Sequence, residues 1–229
     1  MALWASPIYK LRAVGSGKPI IIDVTSSVSP GLPPHGAIAE HVIPFLKRRD
    51  VTSIIDFGAG ALRHCFPLLD AGFNVCAVEF EQNFQRKVCA DARKRAEKRR
   101  RFRSLIWPDQ FLDDRKTFDA ALLCYVLQVM PKPSERKRVL RELADRITND
   151  GFLVYMSRYN QGIPDDKIHR VEDGAYRWPD REEHSFYTEF ETDETHKMFD
   201  RYGFKHIRSL SARGTDQFFV YVKGSGTWV

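Results

Sequence analysis

The sequence predicts an α/β fold: a doubly wound, mostly parallel sheet with helices on both faces, ended by an antiparallel strand pair. Three observations predict it. From residue 51 onward, short apolar runs alternate with helix-period patterns, the signature of right-handed βαβ units. One of the intervening helices, at 134–147, is signalled at both ends. The last two β-like runs, 204–212 and 217–223, are joined by so short a loop (213–216) that they must pair antiparallel, because a parallel pair needs a long crossover.

Taken in order, the first 35 residues stand outside the alternating unit. "KLRAVGSGKPIIID" reads as a hairpin turning at Gly15–Gly17, and "SSVSPGLPPHG" as a linker into a helix over 37–47. Strands follow at 51–57, 73–79, 102–107, 118–124 and 151–157, with helices at 61–71, 81–100 and 134–147 between them. In the last of these helices Ser134 is placed to cap the start. Val139, Leu140, Leu143 and Ile147 form the apolar stripe, and Asn149–Gly151 stops it. Residues 158–187 are polar and rich in aromatics, and they read as an insertion. Thr188 and Glu191 then have capping-box spacing before a helix through Met198, Phe199 and Tyr202, closed by Gly203. The domain organisation expected is an N-terminal extension (1–35) on the substrate side and one domain (36–229) carrying the 158–187 insertion as a lid.

At 229 residues, 43% hydrophobic and 29% charged, the chain reads as one soluble globular domain, which excludes a disordered class. No stretch reaches the ~18 apolar residues of a membrane helix, and the start lacks a basic-then-apolar signal pattern. The four cysteines, Cys65, Cys76, Cys89 and Cys124, show no C-x-x-C spacing and read as reduced core thiols of a cytoplasmic protein. No His/Cys/Asp/Glu spacing matches a metal site, and no feature specifies an oligomeric state. The net charge of +6 favours acidic partners without choosing among them.

"IIDFGAGALRHCFPLL", residues 54–69, places Gly58 and Gly60 at the carboxyl end of the first core strand, just before a helix. Open α/β sheets bind ligands there, and glycines let the backbone approach a bound group closely. Glu79 ends the next strand, about twenty residues on, where a carboxylate suits the two hydroxyls of a ribose. A dinucleotide fingerprint would place a third glycine at position 63, but Arg63 stands there.

"DFGAGALR" instead resembles motif I of the class I S-adenosylmethionine-dependent methyltransferases, with Leu62 in place of the usual third glycine. "FDAALLCYVLQVMP", "LADRITNDGFLVYMSR" and "YTEFETDETHKMFDRYGFKHIRSL" resemble the later strands and helices of that Rossmann-like family, so the resemblance covers roughly residues 37–223. It implies S-adenosylmethionine as cofactor. Asp56, Gly58, Ala59 and Gly60 would line its methionine and ribose side, and Glu79 would hold the ribose. Phe80 would lie against the adenine, Asp109 or Gln110 would accept from the adenine amino group, and Cys124 and Tyr125 would face the methyl group.

No N-P-P-Y-like string follows the fourth strand, and no Pro-Cys pair exists, which argues against amino-methylating nucleic-acid enzymes and pyrimidine C5 chemistry. The acceptor expected is a small anionic or aromatic molecule methylated at oxygen or nitrogen. Tyr159, Arg177, Trp178 and Tyr187 of the insertion are the candidate acceptor contacts, with His184 and Tyr125 as candidate catalytic groups. RNA or DNA is the alternative acceptor, and a non-catalytic binding module the alternative class. Ten Lys or Arg fall between 86 and 103, but most lie at the helix end far from the ligand edge, where a solvated surface is expected.

Overall fold

The computed structural model describes residues 7–14, 17, 19–27, 32–158, 169–171, 176–177, 186–210 and 216–224. A seven-stranded sheet has the order β11-β12-β7-β6-β3-β4-β5. Its parallel part is β3 (Ser53–Phe57), β4 (Asn74–Phe80), β5 (Phe102–Trp107), β6 (Phe118–Cys124) and β7 (Ile147–Arg158). The antiparallel pair β11 (Phe204–Ser209) and β12 (Asp216–Lys223) joins it through β7. The expected doubly wound sheet with its closing antiparallel pair is therefore present.

Successive residues of the central strands feed opposite layers, because side chains alternate across a pleated sheet. Ile54, Val75, Leu122 and Val154 pack on one face with Leu46 of α1 (Ile43–Lys47), Leu68 of α2 (Cys65–Asp70) and Ala92 of α4 (Lys87–Ala96). Ile55, Cys76, Leu123 and Leu153 pack on the other with Phe111 of α5 (Asp109–Asp113), Leu140 of α6 (Pro133–Arg146) and Phe199 of α7 (Thr192–Asp200). Apolar runs buried on both faces are what a parallel sheet requires. All four cysteines are free and buried.

Several boundaries differ from the sequence expectation, each for a local reason. The helix expected over 61–71 begins only at Cys65, because Gly60 and Leu62 both hold positive φ and cannot start a right-handed helix. The long helix expected over 81–100 breaks at Arg86, whose ψ of 132° is extended, into α3 (Glu81–Gln85) and α4. The Arg86 side chain there bonds the Thr25 carbonyl. Pro133 begins α6 one residue before Ser134, so Ser134 is not the cap. That helix stops at Arg146 rather than at 149–151. Ile147 already pairs with Phe118, and the chain bulges before Phe152 pairs with Ala120. The capping box at Thr188 does not form. The Thr188 N–H bonds the Gln128 carbonyl instead, and α7 starts at Thr192.

The N-terminal hairpin forms as expected, β1 (Ile8–Arg12) against β2 (Pro19–Asp23). Tyr9, Leu11, Ile20, Ile22 and Val24 make a separate core with Val171 and Phe186, and Phe80 packs against it. The insertion contributes three short strands, β8 (His169–Arg170), β9 (Tyr176–Arg177) and β10 (Phe186–Tyr187), and Val171 bridges to Ala13 of the hairpin. Side-chain bonds fasten the hairpin at two places, Arg86 to the Thr25 carbonyl and Tyr9 to the Glu135 carboxylate. Those two anchors follow β4 and β6, so the hairpin spans the carboxyl edge of the sheet between them.

The basic run ends at the opposite edge. There Arg99 pairs with Asp70 at 2.8 Å and Arg101 bonds the Gly72 carbonyl. Lys47 and Arg101 line a cavity of about 430 Å³ beside the starts of β3 and β4. Among the described residues, no helix is long and apolar enough to cross a membrane.

Candidate functional site

The glycine loop leaves the carboxyl end of β3 and is tied at once to β4. The N–H groups of Gly58 and Ala59 both donate to the Val78 carbonyl, at 2.8 and 3.2 Å. The Gly60 N–H donates to Glu79 Oε2 and the Phe80 N–H to Glu79 Oε1, each at 2.8 Å. Gly58 holds φ +73°, and a Cβ added there would sit 2.4 Å from Val126 Cγ2. The room that Gly58 makes is thus filled by this chain's own Val126. Leu62, at the place of the third glycine, holds φ +61° and is fully buried, so the left-handed backbone is kept while a core side chain replaces the hydrogen.

Four buried polar groups surround this loop. Asp56 is 2% exposed and accepts from Cys65 Sγ at 3.1 Å. Burial pushes its carboxyl up to about 7, against the lowering effects of Cys65 and Arg63. Glu79 is 5% exposed and is also raised by burial, opposed by Asn83 and by the Phe80 and Gly60 N–H groups. Burial, with the nearby Arg63 and His35, drives the His64 imidazole down to about 3, so it is neutral. Asn83 Oδ1 and His64 Nε2 are buried without a hydrogen-bond partner. A buried carboxylate beside a buried, unused amide oxygen is an acceptor set that fits a ligand presenting two hydroxyl donors.

On the other side of the loop, Tyr125 follows β6 with φ +61°, an outlier for a bulky residue, and its N–H donates to the Met156 carbonyl at 2.7 Å. Its hydroxyl lies near Asp216, and burial first, then Asp216, raises its pKa. His35 Nδ1 accepts from the Ala37 N–H at 3.2 Å. The proton therefore sits on Nε2, which donates to Asp216 Oδ2 at 3.2 Å. The guanidiniums of Arg63 and Arg158 each lie 5.5 Å from the Tyr125 ring centroid. The sequence pattern did not single out His35, Asp216 or Asn83. His35 lies in a proline-rich linker and Asp216 begins β12, where the sequence reads as a connecting loop, and only the fold brings them to Tyr125.

The other sequence-derived residues fall as follows. Cys124 ends β6 and is buried, its thiol raised by burial and by Asp56. Phe80 caps α3 and packs against the hairpin core. Asp109 is exposed at the start of α5, whereas Gln110 Oε1 accepts from the Ile106 N–H at 3.0 Å and is engaged within the chain. Tyr187 is buried and donates to the Arg158 carbonyl at 2.8 Å. Arg177 lies on β9, with only its backbone described, and Tyr159, Trp178 and His184 lie outside the described residues.

No protein-family model matches the sequence, and no curated protein sequence does. Solved structures do. An amino pentose methyltransferase from Micromonospora echinaspora, solved with S-adenosylmethionine bound, is similar over 84% of this chain and 92% of its own, with a TM-score of 0.63 and 16% identity. A 1,6-didemethyltoxoflavin-N1-methyltransferase from Burkholderia thailandensis, with its acceptor and S-adenosylhomocysteine bound, is similar over 83% of this chain and 80% of its own. Its TM-score is 0.61 at 18% identity. The chain has the class I methyltransferase fold. A third such fold, the magnesium protoporphyrin IX methyltransferase from Synechocystis, has a TM-score of 0.57 at 13% identity, over 82% of each chain. In this fold the class I methyltransferase strand order puts Gly58, Gly60 and Glu79 together at the carboxyl edge of the sheet.

Proposed function

We propose that this chain is an S-adenosylmethionine-dependent methyltransferase acting on an oxygen or nitrogen of a small molecule. The observation that carries the proposal is the joint of Gly60 and Glu79 at the carboxyl edge, with the unused Asn83 Oδ1 beside it. When bound, the donor supplies an activated methyl group on a sulfonium. Glu79 and Asn83 hold the two ribose hydroxyls, Phe80 lies against the adenine, and exposed Asp109 accepts from its amino group. Asp56 and the loop of Gly58, Ala59 and Gly60 take the methionine side, and Cys124 and Tyr125 face the transferring group. The chain's main task is alignment and exclusion of water. The hairpin and the 158–187 segment do this as a lid, with Tyr159, Arg177 and Trp178 toward the acceptor and Tyr187 as the fastening that joins the lid to β7.

The named relatives act on small molecules, which supports a small acceptor. So does the position of the basic run, at the edge away from the glycine loop. Incubation with methyl-labelled donor and separated cellular fractions tests the proposal: label should appear in the small-molecule fraction. Label in nucleic acid or protein would redirect the acceptor assignment, and no label in any fraction would contradict the enzyme.

A further inference from the structure

Arg63 and Arg158 come from opposite ends of the fold's logic, one from the glycine loop and one from the end of β7, yet both guanidiniums reach the same tyrosine ring. Each is 5.5 Å from its centroid, so the two cations lie within twice that distance of each other. Two like charges at such separation repel, weakly where solvent screens them, and an anion near both would stabilise both. The nearby carboxylates do not do so fully. Among the described residues, neither arginine forms an ion pair. Asp216 stands opposite Arg158 in the β12–β7 ladder, but its carboxylate is engaged by His35 Nε2–H, with Tyr125 nearby. Asp56 is buried beneath the loop and bonded to Cys65. Arg63 is half-buried and Arg158 exposed, so the pair opens outward.

We propose that Arg63 and Arg158 form an anion clamp for the acceptor, which therefore carries a carboxylate or phosphate beside the atom to be methylated. The planar guanidinium forks suit the paired oxygens of either group. Tyr125 is the ring that both guanidiniums share. Its backbone is held in a left-handed conformation, its N–H is fixed to Met156, and Asp216, bonded by His35, lies near its hydroxyl. His35 has both ring nitrogens engaged, so it acts as a positioning residue for Asp216 and not as a base. The inference rests on the methyltransferase proposal for its meaning, but the anion site can be measured without turnover.

The test titrates benzoate, phenyl phosphate and neutral benzyl alcohol into the full-length protein by ligand-observed NMR, with and without S-adenosylhomocysteine. The expected result is that at least one anion binds tenfold or more tightly than benzyl alcohol, and the better anion identifies the class of oxyanion. Arg63→Gln and Arg158→Gln should each weaken that anion at least tenfold, while Arg99→Gln at the far edge leaves it unchanged. Anions that bind no better than the alcohol, or anion binding unaffected by either clamp variant, would overturn the proposal. So would an Arg63→Gln protein that loses S-adenosylhomocysteine affinity but keeps its anion binding, since Arg63 would then serve the donor. Absent S-adenosylhomocysteine binding in the wild type contradicts the donor assignment alone, because the anion series without it still reads the clamp.

Discussion

The Gly60 N–H donates to Glu79 Oε2 at 2.8 Å, so the carboxylate proposed to hold the donor's ribose also closes the glycine loop. Its second oxygen takes the Phe80 N–H. The site is therefore organised before any ligand arrives. Amide exchange should be slow at Gly60 and Phe80 in the ligand-free protein and faster at both in Glu79→Ala. Equal protection in the variant would mean that other contacts hold the loop.

Gly58 is needed for two separable reasons, its φ of +73° and the 2.4 Å approach of Val126 Cγ2 to any Cβ. Gly58→Ala should cost about 2–4 kcal/mol, from left-handed strain and overpacking together. Adding Val126→Ala should recover the overpacking part and leave the strain. Denaturant unfolding of the three variants checks this, and a fully stable Gly58→Ala protein would contradict the loop geometry.

How far this was legible in the sequence varies with the range of the interaction. The alternating apolar runs gave the sheet and its closing pair, because burial on both faces leaves a continuous signal in each strand. Gly58, Gly60 and Glu79 were also legible, since all three sit at strand ends whose order follows from the alternation. Helix ends were less so. Ser134 and Thr188 have good capping chemistry, but Pro133 and the Thr188–Gln128 bond decided the outcome. The close approach of Val126 to Gly58 was not legible, because Val126 is remote in sequence. The His35–Asp216–Tyr125 chain joins three segments far apart in sequence, and no local pattern encodes such a meeting.

Asp56 and His64 give the stability a defined pH signature. The Asp56 carboxyl rises from 3.8 to about 7 on folding, so the folded state holds a proton that the unfolded chain has lost. Its contribution is present below about pH 4 and is lost as pH rises toward 7. His64 falls from 6.5 to about 3, so its contribution has the opposite slope and is lost as pH falls below 6.5. Asp56→Asn removes only the first. The variant should therefore gain stability relative to wild type between pH 4 and 7, at up to roughly 1.4 kcal/mol per pH unit. Denaturant midpoints at several pH values measure the difference, and a constant offset would show that Asp56 is ionised in the fold.

Arg99, Arg100 and Arg101 lie at the edge of the sheet remote from the glycine loop, where Arg99 pairs with exposed Asp70. Replacing all three with Gln should leave S-adenosylhomocysteine affinity unchanged and cost little stability, since exposed ion pairs contribute about 0–1 kcal/mol. Calorimetry and thermal unfolding check both. If the protein binds RNA or DNA through this edge, the variant will instead show weaker nucleic-acid binding with a shallower salt dependence.

The most direct test of the central claim is a calorimetric titration of S-adenosylhomocysteine into the wild-type protein and Glu79→Ala, with folding of the variant checked by circular dichroism. Saturable binding to the wild type is expected, weakened in the variant by about 1.5–3 kcal/mol, the scale of hydrogen bonds to a charged group. No binding to the wild type, or the same affinity in both proteins, would contradict the assignment of Glu79 and the glycine loop to the methyl donor.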